Sequence, residues 1–326
     1  MSLGWAILLL PLGIAVLVKG ADWLVDGAVA IAERLGLTPL IIGLTIVAMG
    51  TSAPEVAASI AAALAGSGDI AVGNVYGSNI ANLALIGGVC AMIRPIAVHR
   101  TALRRDIPLM LAAAFALWPV LHDGRLSRPE AAGLLSFFVA IFLFTVHTER
   151  LRAIRDRKVL AKAEAIIEQA VPRLPKTLGL SVLSVVLGLV SLAVGAHLTV
   201  VSASALGRAV GISEAVIGLT VVAVGTSLPE LTTCLVAAFK GHDDLSIGNL
   251  VGSNIFNALL VIGAAGMTRP FTVSPRLAGA DFWPMAAVSI AFALIALVAR
   301  RISRPAGLAL LVAYGGYMGY LFLLNR

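Results

Sequence analysis

The chain has 326 residues, of which 59% are apolar and only 13% charged, and its mean hydropathy is +0.98. Soluble domains average roughly 45–50% apolar and about 25% charged residues, so this chain has too little charge to cover a water-facing surface. The apolar excess runs the whole length, which makes the bilayer the solvent and excludes the secreted, nucleic-acid-binding and ordinary cytosolic classes. A net charge of +7 is then a question of topology rather than of nucleic acid. The two cysteines, Cys90 and Cys234, have no ligand spacing and indicate neither a metal site nor a disulfide framework.

A membrane-spanning helix needs about 20 mostly apolar residues. Measured that way, the chain reads as an all-α integral membrane protein with ten transmembrane helices, at roughly 5–31, 37–66, 70–93, 106–121, 129–147, 177–206, 212–239, 245–268, 281–299 and 305–324. The N-terminal stretch MSLGWAILLLPLG lacks a positive leading region and continues past signal-peptide length, so it reads as the first span. Between the fifth and sixth spans, Glu149 to Lys176 form a basic helical stretch closed by Pro172 and Pro175. With the N-terminus outside, 17 Lys and Arg fall in inner loops and 6 in outer ones. That bias predicts both termini outside and the 149–176 linker cytoplasmic.

The two halves repeat each other. Residues 43–55 read GLTIVAMGTSAPE and residues 218–230 read GLTVVAVGTSLPE, identical at ten of thirteen positions. Residues 73–82 (GNVYGSNIAN) match 248–257 (GNLVGSNIFN) at seven of ten, and both blocks keep one offset of 175 residues. The offset extends to Arg94–Pro95 against Arg269–Pro270 and to Asp106 against Asp281. Because it contains five spans, an odd number, the second copy enters the membrane upside down. The expected organisation is a first five-helix repeat (1–148), a basic linker (149–176) and a second, inverted repeat (177–326). Inverted repeats of this kind build secondary transporters whose substrate site lies near the midplane.

Glu55 and Glu230 sit deep in apolar sequence, where a carboxylate costs about 2.5–3.5 kcal/mol on insertion scales. A scaffold duplication explains repeated glycines and apolar positions but gives no reason to repeat a buried acid. Pro54 and Pro229 lack an N–H and disrupt the helix, partly freeing carbonyls at Ala48–Met49–Gly50 and Ala223–Val224–Gly225 to face an ion. On helical spacing Ala48, Ser52 and Glu55 stack on one face with Thr51 beside them; the second copy offers Ala223, Thr226, Ser227 and Glu230. Ser78 and Asn82 are an i, i+4 pair on the third span, as are Ser253 and Asn257 on the eighth. Asn74, Asn79, Asn249 and Asn254 read as interhelical hydrogen-bonding residues. All these donors are oxygen, with no converging Cys or His, which selects hard cations. Two carboxylates balance one Ca²⁺, the same oxygens could hold Na⁺, and competition for shared ligands is a sufficient basis for exchange.

GTSAPE/GTSLPE followed by GSNIAN/GSNIFN resembles the α-repeats of the sodium/calcium exchangers, within the calcium/cation antiporter superfamily. The resemblance covers all ten predicted spans. It implies alternating access, with the first and sixth spans sliding as a gating pair, and Glu55 and Glu230 binding Ca²⁺ and Na⁺ in turn. It also implies ion-binding roles for Ala48, Thr51, Ser52, Ser78, Asn82, Ala223, Thr226, Ser227, Ser253 and Asn257. Asn257 stands where potassium-dependent relatives carry an acid, so K⁺ independence is expected. The linker is too short for a calcium-sensing domain, and a prokaryotic plasma membrane fits the small size.

Other classes remain open on the residues alone. Proton-coupled exchange of Ca²⁺ or another divalent cation would use the same scaffold, because buried Glu residues titrate. An ion channel could also use acidic rings. An intramembrane enzyme lacks an HExxH, a Ser–His constellation or a Cys nucleophile beside a base, so no catalytic residue and no cofactor are assigned. Neither nucleic acid nor a protein partner is implied. Lys19, Asp22 and Asp26 share one face of the first span, as a mutual ion pair or a cation-attracting inner mouth. Their second-half counterparts are Val194, His197 and Val201, and His197 reads as a buried, hydrogen-bonded imidazole.

Overall fold

The computed structural model describes residues 3–35, 39–160, 177–209 and 223–324. Segments rich in Leu, Ala, Val and Ile form helices α1 (Leu3–Leu35), α2 (Leu40–Thr51), α3 (Ala53–Leu64), α4 (Gly68–Ile93), α5 (Ile107–Leu121) and α6 (Arg128–Leu160). The second half gives α7 (Leu178–Ala209), α8 (Ala223–Thr226), α9 (Leu228–Lys240), α10 (Asp243–Thr268), α11 (Phe282–Ala299) and α12 (Arg304–Leu324). Among the described residues six helices are long and apolar enough to cross a membrane, and α2 and α3, bent by 44° at Ser52, make a seventh candidate. Of the other expected spans, 106–121 is a 15-residue helix, 305–324 is α12, and 212–239 overlaps residues outside those described. No helix boundary falls at 148: α6 continues to Leu160, while the rest of the linker lies outside the described residues.

The 175-residue offset of the sequence recurs in local geometry. The GSN helices α4 and α10 each widen into π-helical turns, at Ala81–Ile86 and Phe256–Val261. Helices α3 and α9 are each followed by a left-handed glycine, Gly66 at φ 79° and Gly241 at φ 81°, a conformation that only glycine adopts without penalty. Two short antiparallel ladders close the ends: Ile96–Ala97 (β1) pairs with Arg301–Ile302 (β4), and Arg125–Leu126 (β2) pairs with Phe271–Thr272 (β3). At the offset β1 falls on β3, and β2 falls one residue short of β4, so the two ladders correspond, with partners exchanged, to within a one-residue slip.

Helices α4 and α10 are the most enclosed of the long helices and form the centre of the core with α5 and α11. Tyr76, Phe115 and Trp118 pack against Phe282 at centroid distances of 6.2, 5.9 and 5.0 Å. Helices α1 and α7 pack mainly against each other at the edge of the bundle. Motif helix α9 packs between α10 of the core and α1 of that pair, while α3 packs on α4 and α10.

Candidate ion-binding site

Each motif helix begins at a broken turn. Proline has no amide to bond the carbonyl four residues back, and the chain leaves regular geometry just before it, with Ser52 at φ −85°, ψ 8° and Ser227 at φ −90°, ψ 6°. The helix restarts at once, which puts Glu55 and Glu230 in the first turns of α3 and α9. Unpaired amides and the positive end of the helix dipole favour a carboxylate there.

Both carboxylates are buried, at 1% exposure each, and each is served by the opposite half. Ser52 Oγ donates to Glu230 Oε1 at 2.8 Å, and Ser227 Oγ donates to Glu55 Oε1 at 3.4 Å. The Thr51 hydroxyl, also buried, bonds the Ala48 carbonyl and Asn249 Oδ1. Helical spacing alone stacks Ser52 with its own neighbour Glu55; the break at Ser52 instead turns the hydroxyl across to the other repeat. The Ala48 carbonyl does not lose its partner as the proline suggested, for it accepts the Ser52 amide at 3.0 Å and the Thr51 hydroxyl at 3.4 Å. The carbonyl that Pro54 deprives of an amide is that of Gly50, four residues back. Ala223 opens α8 and is the first residue of the described segment.

The GSN residues close the site from the core side. The widened turn of α4 holding Asn82 packs on α9, which carries Glu230, and that of α10 holding Asn257 packs on α3, which carries Glu55. Ser78, Asn82, Ser253 and Asn257 are all buried. Glu55 Oε2, Glu230 Oε2, Ser253 Oγ and both amide atoms of Asn82 and Asn257 have no hydrogen-bond partner. Buried polar groups are ordinarily satisfied, and these unsatisfied groups include two carboxylate, two amide and one hydroxyl oxygen. Such a donor set matches what Ca²⁺ or Na⁺ takes from a protein. Ser78 additionally borders a cavity of about 260 Å³ together with Asn74, Tyr76, Asp281 and Tyr317. Among the described residues no cluster of three His, Cys, Asp or Glu occurs, so charge at the site rests on the glutamate pair alone.

The remaining asparagines do the interhelical bonding expected of them, with one exception. Asn74 Nδ2 donates to Ser59 Oγ at 2.9 Å and to the Glu55 carbonyl at 3.3 Å. Its counterpart Asn249 donates to Cys234 Sγ at 3.3 Å and accepts from Thr51 at 3.2 Å. Asn79 donates to Met285 Sδ at 3.7 Å, whereas Asn254 bonds the Leu250 carbonyl of its own helix. Ser59 and Cys234 are supporting residues that the motifs did not reveal, although they too stand 175 apart. Arg94 and Arg269 likewise cross over: Arg94 Nη1 donates to the Ala238 carbonyl near the end of α9, and Arg269 Nη1 to Leu64 at the end of α3. The Lys19–Asp22 ion pair forms at 2.9 Å. His197 is exposed, not buried, because Gly195 is on the packing face of α7 and two residues carry the helix about 200° around.

The family described as sodium/calcium exchanger protein matches residues 5–147 and again residues 180–323. The chain belongs to the sodium/calcium exchanger family. It is a multi-pass membrane antiporter of the cation/Ca²⁺ class, and its family and fold are those of transporters. It is 39% identical to the inner membrane protein YrbG of Escherichia coli over 97% of this chain and 95% of that one. It is 32% identical to the sodium/calcium exchanger MaX1 of Methanosarcina acetivorans over 97% and 98% of the two chains. The structure superposes on the sodium-calcium exchanger NCX_Mj, soaked with zero Na⁺ and Ca²⁺, with a TM-score of 0.83 at 27% identity, over 98% of this chain and 100% of the other.

Proposed function

We propose that this exchanger couples Na⁺ entry to Ca²⁺ export by alternating access, with both ions bound in turn between Glu55 and Glu230. The observation that carries this is the crosswise pairing of each glutamate with the serine of the other half, which leaves the second carboxylate oxygens buried without partners. Ionised, the pair carries two negative charges, which one Ca²⁺ neutralises and which Na⁺ ions can neutralise in its place. Neutralisation is what lets a cavity dehydrate and change sides. Thr51, Ser52, Ser78, Asn82 and their counterparts Thr226, Ser227, Ser253 and Asn257 supply uncharged oxygens, joined by the carbonyl of Gly50, which Pro54 leaves without an amide, and by that of its counterpart Gly225. A low ligand charge keeps affinity moderate, and a carrier must release what it binds.

The same reading takes residues 1–148 and 177–326 as inverted five-helix repeats joined by a cytoplasmic linker, ten spans in all, in the plasma membrane with both termini outside. Partner exchange between the two ladders supports the inversion, because a two-fold relation makes contacts reciprocal. It agrees with the ten-span topology too: β1 and β4 lie in loops that the topology puts on one side, and β2 and β3 in loops that it puts on the other. The absence of an acid at Asn257 supports independence from K⁺. No resident cofactor and no protein partner enters the mechanism.

Equilibrium binding of radioactive Ca²⁺ to the purified protein at pH 7.5 tests the shared site. Titration with NaCl should displace Ca²⁺ where choline chloride and KCl do not. Binding indifferent to Na⁺ but abolished by mild acid would replace Na⁺ with H⁺ as the coupling ion.

A further inference from the structure

Helices α1 and α7 are joined backbone to backbone. Gly13, Gly20 and Gly27, seven residues apart on α1, face Gly195 and Thr199, Gly188 and Leu192, and Ser181 and Val185 on the antiparallel α7. A Cβ added at Gly20 would stand 2.9 Å from the Leu192 amide nitrogen, and one added at Gly195 would stand 2.8 Å from that of Leu17. Small residues at helical spacing allow this approach, and the long interlock leaves the pair able to move only as one body. Its far faces, with Leu8, Leu12, Leu183 and Val190, are exposed. Contact with the rest of the molecule is narrower, mostly from α1 to α9 and α2.

The joint between α1 and α9 carries a charge bridge at one end. Lys240, in the last turn of α9, reaches Asp22 Oδ1 at 2.5 Å and Asp26 Oδ1 at 2.6 Å, and Lys19 pairs with Asp22 at 2.9 Å. Lys240 is the sole basic residue in the last turn of the helix that begins beside Glu230. The charge count assigns this end of the bundle to the cytoplasm. At the 175-residue offset the equivalents of Lys240, Asp22 and Asp26 are Ala65, His197 and Val201, so these positions form no such bridge at the outer joint. Elsewhere the two ends follow one pattern: Gly66 matches Gly241 in its backbone and Arg269 matches Arg94 in its helix-capping role. The ion triad departs from an otherwise shared plan.

We infer that Lys240, Asp22 and Asp26 form a one-sided latch that holds the α1–α7 pair against α9 at the inner end and biases the carrier toward the inner-closed state. The inference rests on the alternating-access reading. An isolated, partly exposed ion pair contributes little, but one ammonium bridging two carboxylates a turn apart fixes α9 against α1 at two points. Breaking it releases the inner joint, and in a molecule that opens at only one end at a time the outer joint must then tighten.

Hydrogen exchange on the purified full-length protein tests this without transport. Lys240→Met should speed exchange over 24–35 and 235–240 by about 5-fold, the loss of roughly 1 kcal/mol of local closure. In the same sample exchange should slow at the outer ends, over 58–64 of α3 and 195–203 of α7. Lys240→Arg should keep the native pattern, and Asp26→Asn should follow Lys240→Met in a milder form. Faster exchange at the inner end with no slowing outside would make the triad a local ion pair and overturn the latch, as would an unchanged pattern or faster exchange everywhere in both Lys240→Met and Asp26→Asn. A wild-type chain that failed to exchange Na⁺ for Ca²⁺ would strike the exchanger reading instead, through a separate measurement.

Discussion

Glu55 and Glu230 each bind a hydroxyl through one oxygen and leave the other without a partner, so what either residue loses as glutamine is charge and one ion-facing oxygen. Glu55→Gln and Glu230→Gln should each lower Ca²⁺ transport about 100-fold or more while the protein stays folded, in line with the roughly 3 kcal/mol lost when a buried charge partner is removed. Retained transport in either variant would break the assignment. The hydroxyls are unequal: Ser52 sits 2.8 Å from its glutamate and Ser227 3.4 Å from its own. Ser52→Ala should therefore weaken Ca²⁺ binding more than Ser227→Ala, by up to about 10-fold for a charge-assisted bond, as read by calorimetric titration. The residue types of this site were legible in the sequence because the motif occurs twice. Their pairing was not, because helical spacing sees only neighbours on one helix, and the turn at Ser52 sends the hydroxyl to a residue 178 positions away. His242, in the loop after α9, offers a check on pH. Burial, and then the nearby charge of Lys240, push its pKa below the usual imidazole value, so the folded protein disfavours the protonated ring. Its contribution to stability is present above about pH 6.5 and is lost as pH falls below it, since the unfolded chain takes up the proton first. The melting temperature of His242→Gln should accordingly fall less than that of the wild type between pH 7.5 and 5.5.

Among the elements, the α1–α7 pair shows best how small residues set geometry. Because α7 backbone atoms stand 2.9 and 3.0 Å from a Cβ built at Gly20, Gly20→Val must separate the helices. It should destabilise by about 1–3 kcal/mol, the usual cost of overpacking. Gly133→Ala on α6, where nothing lies within 4 Å, should be neutral or stabilise by up to about 1 kcal/mol through helix propensity. Thermal unfolding in one detergent compares the two, and equal effects would contradict the packing argument. Hydropathy located the long helices well because each apolar run approaches span length. It served less well where the chain changes character within a run. The bend at Ser52 splits one expected span into α2 and α3, and α6 crosses the expected linker boundary without a break, because arginine, lysine and glutamate favour helix as well as alanine and leucine do. Lys240 illustrates the opposite limit: it followed an expected span as an unremarkable loop cation, and only the packing of α9 on α1 brings it to Asp22 and Asp26.

At the scale of the whole molecule, the offset of 175 residues relates the broken turns, the widened turns and, to within one residue, the exchanged ladder strands. Each half carries a glutamate that the other half's serine serves, so neither repeat holds a complete site alone. On the proposed mechanism, two such half-sites facing each other, with the α1–α7 pair moving over them, make a carrier whose cargo neutralises the centre before it turns. The central claim, sodium-driven calcium exchange at this glutamate pair, is tested most directly by radioactive Ca²⁺ uptake into proteoliposomes. Vesicles preloaded with Na⁺ are diluted into Na⁺-free, K⁺-free buffer, and a matched set carries a pH gradient in place of the sodium gradient. The account predicts uptake that requires internal Na⁺, proceeds without K⁺ and disappears in Glu55→Gln and Glu230→Gln. Uptake driven by the pH gradient and indifferent to Na⁺ would contradict it, keeping the scaffold and the site but assigning the coupling to protons.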